Sequence, residues 1–285
     1  MATPLYSLLY EDIVRGALRE DLGRAGDLTT DAIVPPDLMT SSVIRARRPG
    51  RIAGLTAALY AFEVLDPDVE TRVIVADGED VEAGGVIAEI RGKARPMLSA
   101  ERTALNLLGR LAGIATATRE VVNAIADTKS QVVCTRKTTP LLRALEKHAV
   151  RAGGGSNHRF GLDDAILIKD NHREVAGSAA EAVRRARAAA GHLVKIELEV
   201  DDLEELPAVL ELGIDAVLLD NMTPDELAKA VEMTGDRAIT EASGNITPAT
   251  AAAVAASGVD LLSIGWLTHS VRVLDIGLDF ESQRS

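Results

Sequence analysis

The chain has 285 residues, of which 47% are hydrophobic and 2% aromatic, and its formal net charge is −12. This length and apolar content allow a large core and favour one large domain or two unequal ones. The acidic balance and the scarcity of aromatic rings argue against a nucleic-acid partner, which needs a broad basic face and stacking rings.

Cysteine usage and hydropathy bear on the compartment. The single cysteine, Cys134, has no partner for an internal disulfide, and the first residues lack the pattern of a signal peptide. No apolar run reaches the roughly 18 residues that a membrane helix requires. We therefore expect a cytoplasmic protein without a membrane partner.

The first part of the chain predicts a small domain with mixed structure. Residues 6–22 carry apolar side chains at helical spacing, and residues 23–37 contain the glycines and prolines of a loop. From residue 42 onward, short strand-like runs are separated by glycine. Residues 99–126 then predict a long helix with Ser99 as its N-cap.

Arg102 falls in the first turn of that predicted helix. A positive charge there opposes the helix dipole and does not stabilise the helix. The placement suggests a functional role, and an ordinary surface arginine is the alternative.

After residue 130 the chain alternates between strand-like and Ala-rich helical segments. The six strand candidates are QVVCTR, AILIKD, KIELEV, AVLLDN, AITEAS and LLSIGW. Such alternation predicts parallel strands wrapped by helices, although six strands fall short of the eight in a complete barrel. The tail THSVRVLDIGLDF predicts one more strand that returns to the small domain.

Cationic side chains collect within residues 131–173 of this acidic protein. Arg136, Lys137 and Lys169 each follow a strand candidate, and the carboxyl ends of parallel strands converge on one face. These residues, with Arg159, predict a pocket for a small polyanion. Arg143, Lys147 and Arg151, in contrast, are spaced as one solvated face of a helix.

Acidic residues end or follow several other strand candidates. They are Glu197, Glu199, Asp201, Asp220 and Glu241. Carboxylates at neighbouring strand ends can hold Mg²⁺, which prefers oxygen ligands and bridges to phosphates. The alternative is that they only neutralise the cations.

Small residues follow the last two strand candidates. Ser243, Gly244 and Asn245 form one such tip, and Gly265 lies at the other. Loops of this kind expose backbone N–H groups to phosphate, but any tight turn uses glycine as well. His158 can donate to a carboxylate, whereas the absence of HExxH, GxGxxG and GxSxG motifs argues against a zinc, Rossmann or serine-hydrolase site.

Long motifs carry a family resemblance across nearly the whole chain. TRKTTP, LRALEKHAVRAGGGSNHRFGL and DAILIKDNH resemble quinolinate phosphoribosyltransferase, and so do EDLGRAGDLTTDAIVP and LTHSVRVLDIGLDF nearer the ends. The resemblance implies an incomplete α/β barrel at residues 113–267. It also implies a smaller α+β domain made of residues 1–112 and 268–285, and a homodimer or higher homo-oligomer.

The resemblance further implies the reaction, in which phosphoribosyl pyrophosphate and quinolinate give nicotinate mononucleotide, CO₂ and pyrophosphate. The expected catalytic residues are Lys137, Lys169, Glu199 and Asp220. The expected quinolinate-binding residues are Arg102, Arg136, Lys137, His158, Arg159 and Lys169, with Arg102 reaching the neighbouring subunit. The expected phosphoribosyl-pyrophosphate-binding residues are Glu199, Asp220, Ser243, Gly244, Asn245 and Gly265, with Mg²⁺ at Glu199 and Asp220, directly or through water.

One position departs from the family pattern. TRKTTP is usually followed by glycine, and Leu141 stands there in this chain, so we expect a small change in loop geometry. Three other interpretations remain: a molybdenum-transport homologue, a class I aldolase with Lys169 as Schiff-base nucleophile, and a phosphosugar-binding module.

Overall fold

The structure is a computed structural model that describes residues 5–280. Within them the chain divides into two compact units, residues 5–119 with Thr138–Gly154 and 267–280, and Glu120–Lys137 with Gly155–Trp266. The sequence predicts boundaries after residues 112 and 267. The segment Thr138–Gly154, expected in the barrel, groups with the first unit because Glu146 and His148 bond to Arg110 and Asp77 there.

The secondary structure alternates between helices and strands. After a 3₁₀ turn at Ser7–Leu9, the helices are α1 Glu11–Leu22, α2 Leu28–Ile33, α3 Leu55–Leu65, α4 Ala94–Ala124, α5 Arg143–Ala152, α6 Asp170–Ala176, α7 Ala179–Ala189, α8 Leu206–Leu210, α9 Pro224–Thr234, α10 Pro248–Ala256 and α11 Trp266–His269. The strands are β1 Met39–Ala46, β2 Gly50–Arg51, β3 Glu70–Val73, β4 Asp80–Val81, β5 Val86–Lys93, β6 Gln131–Val133, β7 Ile166–Ile168, β8 Ile196–Val200, β9 Ala216–Asp220, β10 Ile239–Ser243, β11 Leu261–Ser263 and β12 Ile276–Phe280. Among the described residues, no helix is long and apolar enough to cross a bilayer.

The first unit contains an antiparallel sheet with strand order β12-β1-β5-β3. The C-terminal strand lies beside β1, with Ser42 opposite Phe280 and Ala46 opposite Ile276. The predicted return of the tail to the small domain is therefore confirmed.

The second unit contains a parallel sheet with strand order β6-β11-β10-β9-β8-β7, so all six predicted strands are confirmed. The end strands β6 and β7 do not pair with each other among the described residues, which makes the barrel incomplete, as predicted. Leu198, Val217 and Leu219 are fully buried. Parallel strands that are covered by helices bury most of their side chains, so their sequences are apolar runs. The strands could therefore be located from the sequence.

Two predictions about the helices of the first unit are wrong. The long helix α4 begins at Ala94, so Ser99 is not its N-cap and instead donates a hydrogen bond to Asp27 Oδ2 at 3.0 Å. Arg102 therefore lies beyond the first turn, where the dipole argument does not apply. The predicted loop at residues 23–37 contains the short helix α2, capped by Asp27, which accepts from Thr30 N–H at 2.9 Å.

The predicted solvated face of α5 is also wrong in part. Lys147 is 2% exposed, whereas Arg151 at the end of the helix is exposed. Glu146 and His148 are buried as well. The helical spacing of these residues could not reveal their burial, because both sides of α5 are covered in the folded chain.

Leu141 has an unusual backbone conformation. Its φ is 68°, in the left-handed region, and its side chain is 88% exposed. This region suits glycine and is unfavourable for a bulky L residue. The loop thus adopts a glycine-like geometry although the residue is leucine.

Leu141→Gly is expected to leave stability unchanged or to raise it by up to about 1.5 kcal/mol. The left-handed strain of roughly 1–2 kcal/mol is relieved, while the greater backbone entropy of glycine in the unfolded chain costs about 0.5–1 kcal/mol. Urea unfolding measures the difference. Leu141→Val is the matched control and should be less stable than the wild type; a Gly variant as unstable as the Val variant would contradict the interpretation.

Candidate active site

The carboxyl ends of the parallel strands surround one cavity of about 430 Å³ in the second unit. Most of the residues singled out from the sequence line it: Arg136, Lys137, His158, Arg159, Lys169, Glu199, Asp220 and Ser243. Cations and carboxylates from different strands therefore meet around one space. Their individual roles toward substrate stay predictions.

Two arginines form the most desolvated cationic part of the cavity. Arg136 follows β6, and its buried Nε has no hydrogen-bond partner within residues 5–280. Burial lowers the pKa of the Arg159 guanidinium, and the positive charge of Arg136 lowers it further. Arg159 Nη1 donates to the carbonyl oxygen of Ala165 at 3.1 Å. A buried donor without a partner is costly, so this region is suited to a bound carboxylate or phosphate.

The acidic part of the cavity lies on the neighbouring strands β8 and β9. The Lys169 ammonium donates to Glu199 Oε2, and Arg173 Nη1 donates to the carbonyl oxygen of Glu199 at 3.3 Å. Asp220 Oδ2 accepts from Asn221 Nδ2 at 2.6 Å. Both carboxylates are thus held in place while they line the cavity.

A buried group of three titratable side chains lies beside the cavity. His158 Nε2 is 2.9 Å from Glu197 Oε2 and 3.5 Å from Glu241 Oε1. Glu197 is 8% exposed and Glu241 is 1% exposed. Burial raises the pKa of Glu241 to about 7, and the adjacent Glu197 carboxylate contributes to the rise. Two buried carboxylates in contact cannot both ionise easily, so one of them retains a proton.

Several predicted residues lie outside the lining of the cavity. Gly244, Asn245 and Gly265 are not among the lining residues, although they follow lining strands. Gly244 has φ +97°, and a Cβ there would approach Asn221 Oδ1 to 2.2 Å, so the turn itself requires glycine. Arg102 belongs to the first unit; its side chain is 65% exposed and 3.7 Å from Glu101.

Sequence reasoning missed other lining residues. Ser263 ends β11 and Thr135 follows β6, and both line the cavity. From the sequence, Glu241 is only one of several acidic residues near strand ends. A better signal was available, since a carboxylate inside the apolar run AITEAS must face either a partner or a site.

The fold and the cavity together define a class, the incomplete α/β barrels with a cavity of cationic and acidic side chains at the carboxyl ends of their parallel strands. Family models resolve the class further. The model for the quinolinate phosphoribosyl transferase N-terminal domain matches residues 27–112, and that for the C-terminal domain matches residues 114–279. The chain belongs to the quinolinate phosphoribosyltransferase family.

Individual relatives agree with the family models. The chain is 45% identical to a probable nicotinate-nucleotide pyrophosphorylase [carboxylating] of Bacillus subtilis, covering 91% of this chain and 89% of the relative. It is also 45% identical to the Mycobacterium leprae nicotinate-nucleotide pyrophosphorylase [carboxylating], covering 94% and 96%. The crystal structure of NadC from Streptococcus pyogenes superposes with a TM-score of 0.93 at 38% identity, covering 98% and 100%.

Proposed function

We propose that this protein transfers the 5-phosphoribosyl group of phosphoribosyl pyrophosphate to quinolinate, giving nicotinate mononucleotide, CO₂ and pyrophosphate. The observation that carries the proposal is the shared cavity, in which Arg136, Arg159 and Lys169 lie with Glu199 and Asp220. Quinolinate has two adjacent carboxylates on a pyridine ring, and planar guanidinium groups bind carboxylates with two parallel hydrogen bonds.

The cationic part of the cavity fits the dicarboxylate. Within residues 5–280 the buried Nε of Arg136 has no protein partner, and burial together with the positive charge of Arg136 lowers the pKa of the Arg159 guanidinium. A bound carboxylate would satisfy both residues at once. Lys137 and Lys169 line the same space and complete a set of cations near the reacting groups.

The acidic part of the cavity fits a metal-bound pyrophosphate. Glu199 and Asp220 come from adjacent strands and offer carboxylate oxygens, the ligands that Mg²⁺ prefers, directly or through water. When bound, Mg²⁺ would neutralise charge on the departing pyrophosphate. Ser243 adds a hydroxyl to this part of the cavity, whereas phosphate binding by Gly244, Asn245 and Gly265 stays a prediction.

Catalysis would depend on orientation and preorganised charge. Residues that hold both quinolinate carboxylates fix the ring nitrogen relative to the ribosyl carbon, which develops oxocarbenium character as pyrophosphate leaves. The nitrogen then bonds to that carbon and becomes positively charged. The C2–carboxylate bond breaks to release CO₂, and its electron pair stays on the ring until a proton replaces it.

Other interpretations have less support. An aldolase would need Lys169 as a free nucleophile, but its side-chain nitrogen is paired with the Glu199 carboxylate. The relatives reported above are named for the pyrophosphorylase reaction, not for molybdenum transport or sugar binding.

Assembly and location remain predictions. A homodimer agrees with the exposure of Arg102 and with exposed apolar side chains in the first unit, including Tyr6, Leu8, Leu28 and Ile33, which a second copy would cover. A cytoplasmic location is the expectation from the sequence.

The purified protein is expected to release CO₂ from carboxyl-labelled quinolinate only when phosphoribosyl pyrophosphate and Mg²⁺ are both present. Pyrophosphate should appear in equal amount, because one transfer accompanies each decarboxylation. Pyridine-3-carboxylate, which lacks the second carboxylate, is the matched control substrate. Failure to release CO₂, or release without pyrophosphate, would contradict the proposal.

A further inference from the structure

The hydrogen bonds around His158 define its tautomer. Its Nδ1 accepts a hydrogen bond from the backbone N–H of Arg159 at 2.7 Å, so Nδ1 carries the lone pair. In the neutral ring the proton must then lie on Nε2, which is 2.9 Å from Glu197 Oε2. His158 is therefore a donor to Glu197 and an acceptor from Arg159.

This tautomer excludes a metal ion at the buried group. The ligand atoms of His158, Glu197 and Glu241 lie within 4.8 Å of one another, a spacing that could surround a cation. A neutral histidine binds metal through an unprotonated nitrogen, but Nε2 carries the proton here and Nδ1 is already occupied. The group is better described as a hydrogen-bonded array.

The two carboxylates have distinct positions in this array. One oxygen of each, Glu197 Oε1 and Glu241 Oε1, is buried without a hydrogen-bond partner in residues 5–280. A proton between the two groups satisfies both oxygens. Glu197 Oε2 accepts from His158, whereas burial raises the pKa of Glu241, so the proton belongs on Glu241.

We propose that Glu197, with Glu241 beside it, is a positioning residue that orients His158 and, through its Nδ1, the Arg159 backbone at the edge of the quinolinate pocket. The inference rests on the proposed function for the identity of the ligand. Neither glutamate needs to touch substrate. The effect reaches the cavity because His158 and Arg159 both line it.

Two matched substitutions test whether Glu197 and Glu241 differ in their effect on quinolinate binding. In Glu197→Gln, the amide N–H of the glutamine is either buried without an acceptor or turned toward His158. The charge-assisted hydrogen bond to His158 is lost, and KM for quinolinate is expected to rise roughly 10- to 100-fold. Glu241→Gln reproduces the shape and donor of a protonated glutamate, and its effect should stay below about threefold. KM for phosphoribosyl pyrophosphate should change little in either variant.

The control is Asp260→Asn, another carboxylate-to-amide change in the second unit. Asp260 accepts from Thr240 N–H at 2.9 Å near the amino end of β10, away from the cavity. This variant is expected to lose stability while both KM values stay unchanged. Equal effects of the two glutamine substitutions, or a parallel rise in both KM values, would overturn the proposal.

A spectroscopic test does not depend on turnover or on a soluble Glu197 variant. The chain has five histidines, so ¹⁵N-histidine NMR of the wild type, with His158→Asn for assignment, can resolve the His158 ring. The expected spectrum shows a protonated Nε2 and an unprotonated Nδ1. Protonation at Nδ1, or metal bound in equimolar amount and lost on either glutamine substitution, would refute the proposal even if the protein catalyses the proposed reaction.

Discussion

Replacing Arg136 with alanine is expected to raise KM for quinolinate by roughly 30-fold or more, because truncating one partner of a buried, hydrogen-bonded charge pair costs about 2–5 kcal/mol. The buried Nε of Arg136 has no protein partner among the described residues, so its hydrogen-bonding capacity is available to a ligand. Steady-state kinetics with each substrate varied in turn would measure the effect. KM for phosphoribosyl pyrophosphate should change much less.

Two further variants serve as comparisons for Arg136→Ala. Arg136→Lys keeps the charge but loses the planar fork, so it should recover only part of the lost affinity. Arg184→Ala removes an exposed arginine of α7 that pairs with Glu181, and its kinetics should match the wild type. An Arg136→Ala enzyme with quinolinate KM within threefold of wild type would remove this arginine from the site.

Replacing Glu146 with alanine is expected to lower the free energy of unfolding by about 3–5 kcal/mol, the usual cost of removing one partner of a buried ion pair. Glu146 is fully buried and accepts from Arg110 Nη2 at 2.6 Å and from Thr139 N–H at 3.0 Å. The substitution removes the acceptor of Thr139 N–H and of Arg110 Nε, whereas Arg110 Nη2 still donates to Thr139 Oγ1 and to the carbonyl oxygen of Thr268. Urea unfolding followed by circular dichroism measures the loss.

Glu146→Gln and Glu181→Ala complete the stability comparison. The amide of glutamine can still accept from Arg110, so Glu146→Gln should lose less stability than the alanine variant. Glu181 pairs with Arg184 and Arg185 on the surface of α7, and its removal should leave the unfolding midpoint near that of wild type. If Glu146→Ala and Glu181→Ala unfolded at the same urea concentration, the buried pair would have no net structural role.

The barrel strands were predictable because their signal is local. Runs such as AVLLDN and AILIKD are apolar over strand length and end in charge, and parallel strands buried under helices produce this pattern. Helix starts were less predictable: Ser99 resembles an N-cap, yet α4 continues through it from Ala94. A capping residue is a preference of about 1 kcal/mol, which other interactions in the fold can exceed.

The candidate site was predictable to a similar degree. Arg136, Lys169, Glu199 and Asp220 follow or end strands, and the topology of a parallel sheet brings such positions to one edge. The partnership of Glu197 with Glu241 was not predictable, because β9 lies between their strands in the sheet. Their contact depends on which face each side chain occupies and on how the strands are arranged in space.

The amino-acid order alone determined the strand segments, the cationic and acidic strand ends and, through long motifs, the family. Those features depend on neighbouring residues and on side-chain chemistry, which are present before folding. Only the tertiary structure decided that Lys147 is buried, that Leu141 adopts a left-handed backbone, and that His158 lies between Arg159 and two carboxylates. Burial, backbone strain and tautomer depend on groups distant in sequence, and these groups meet only when the chain is folded.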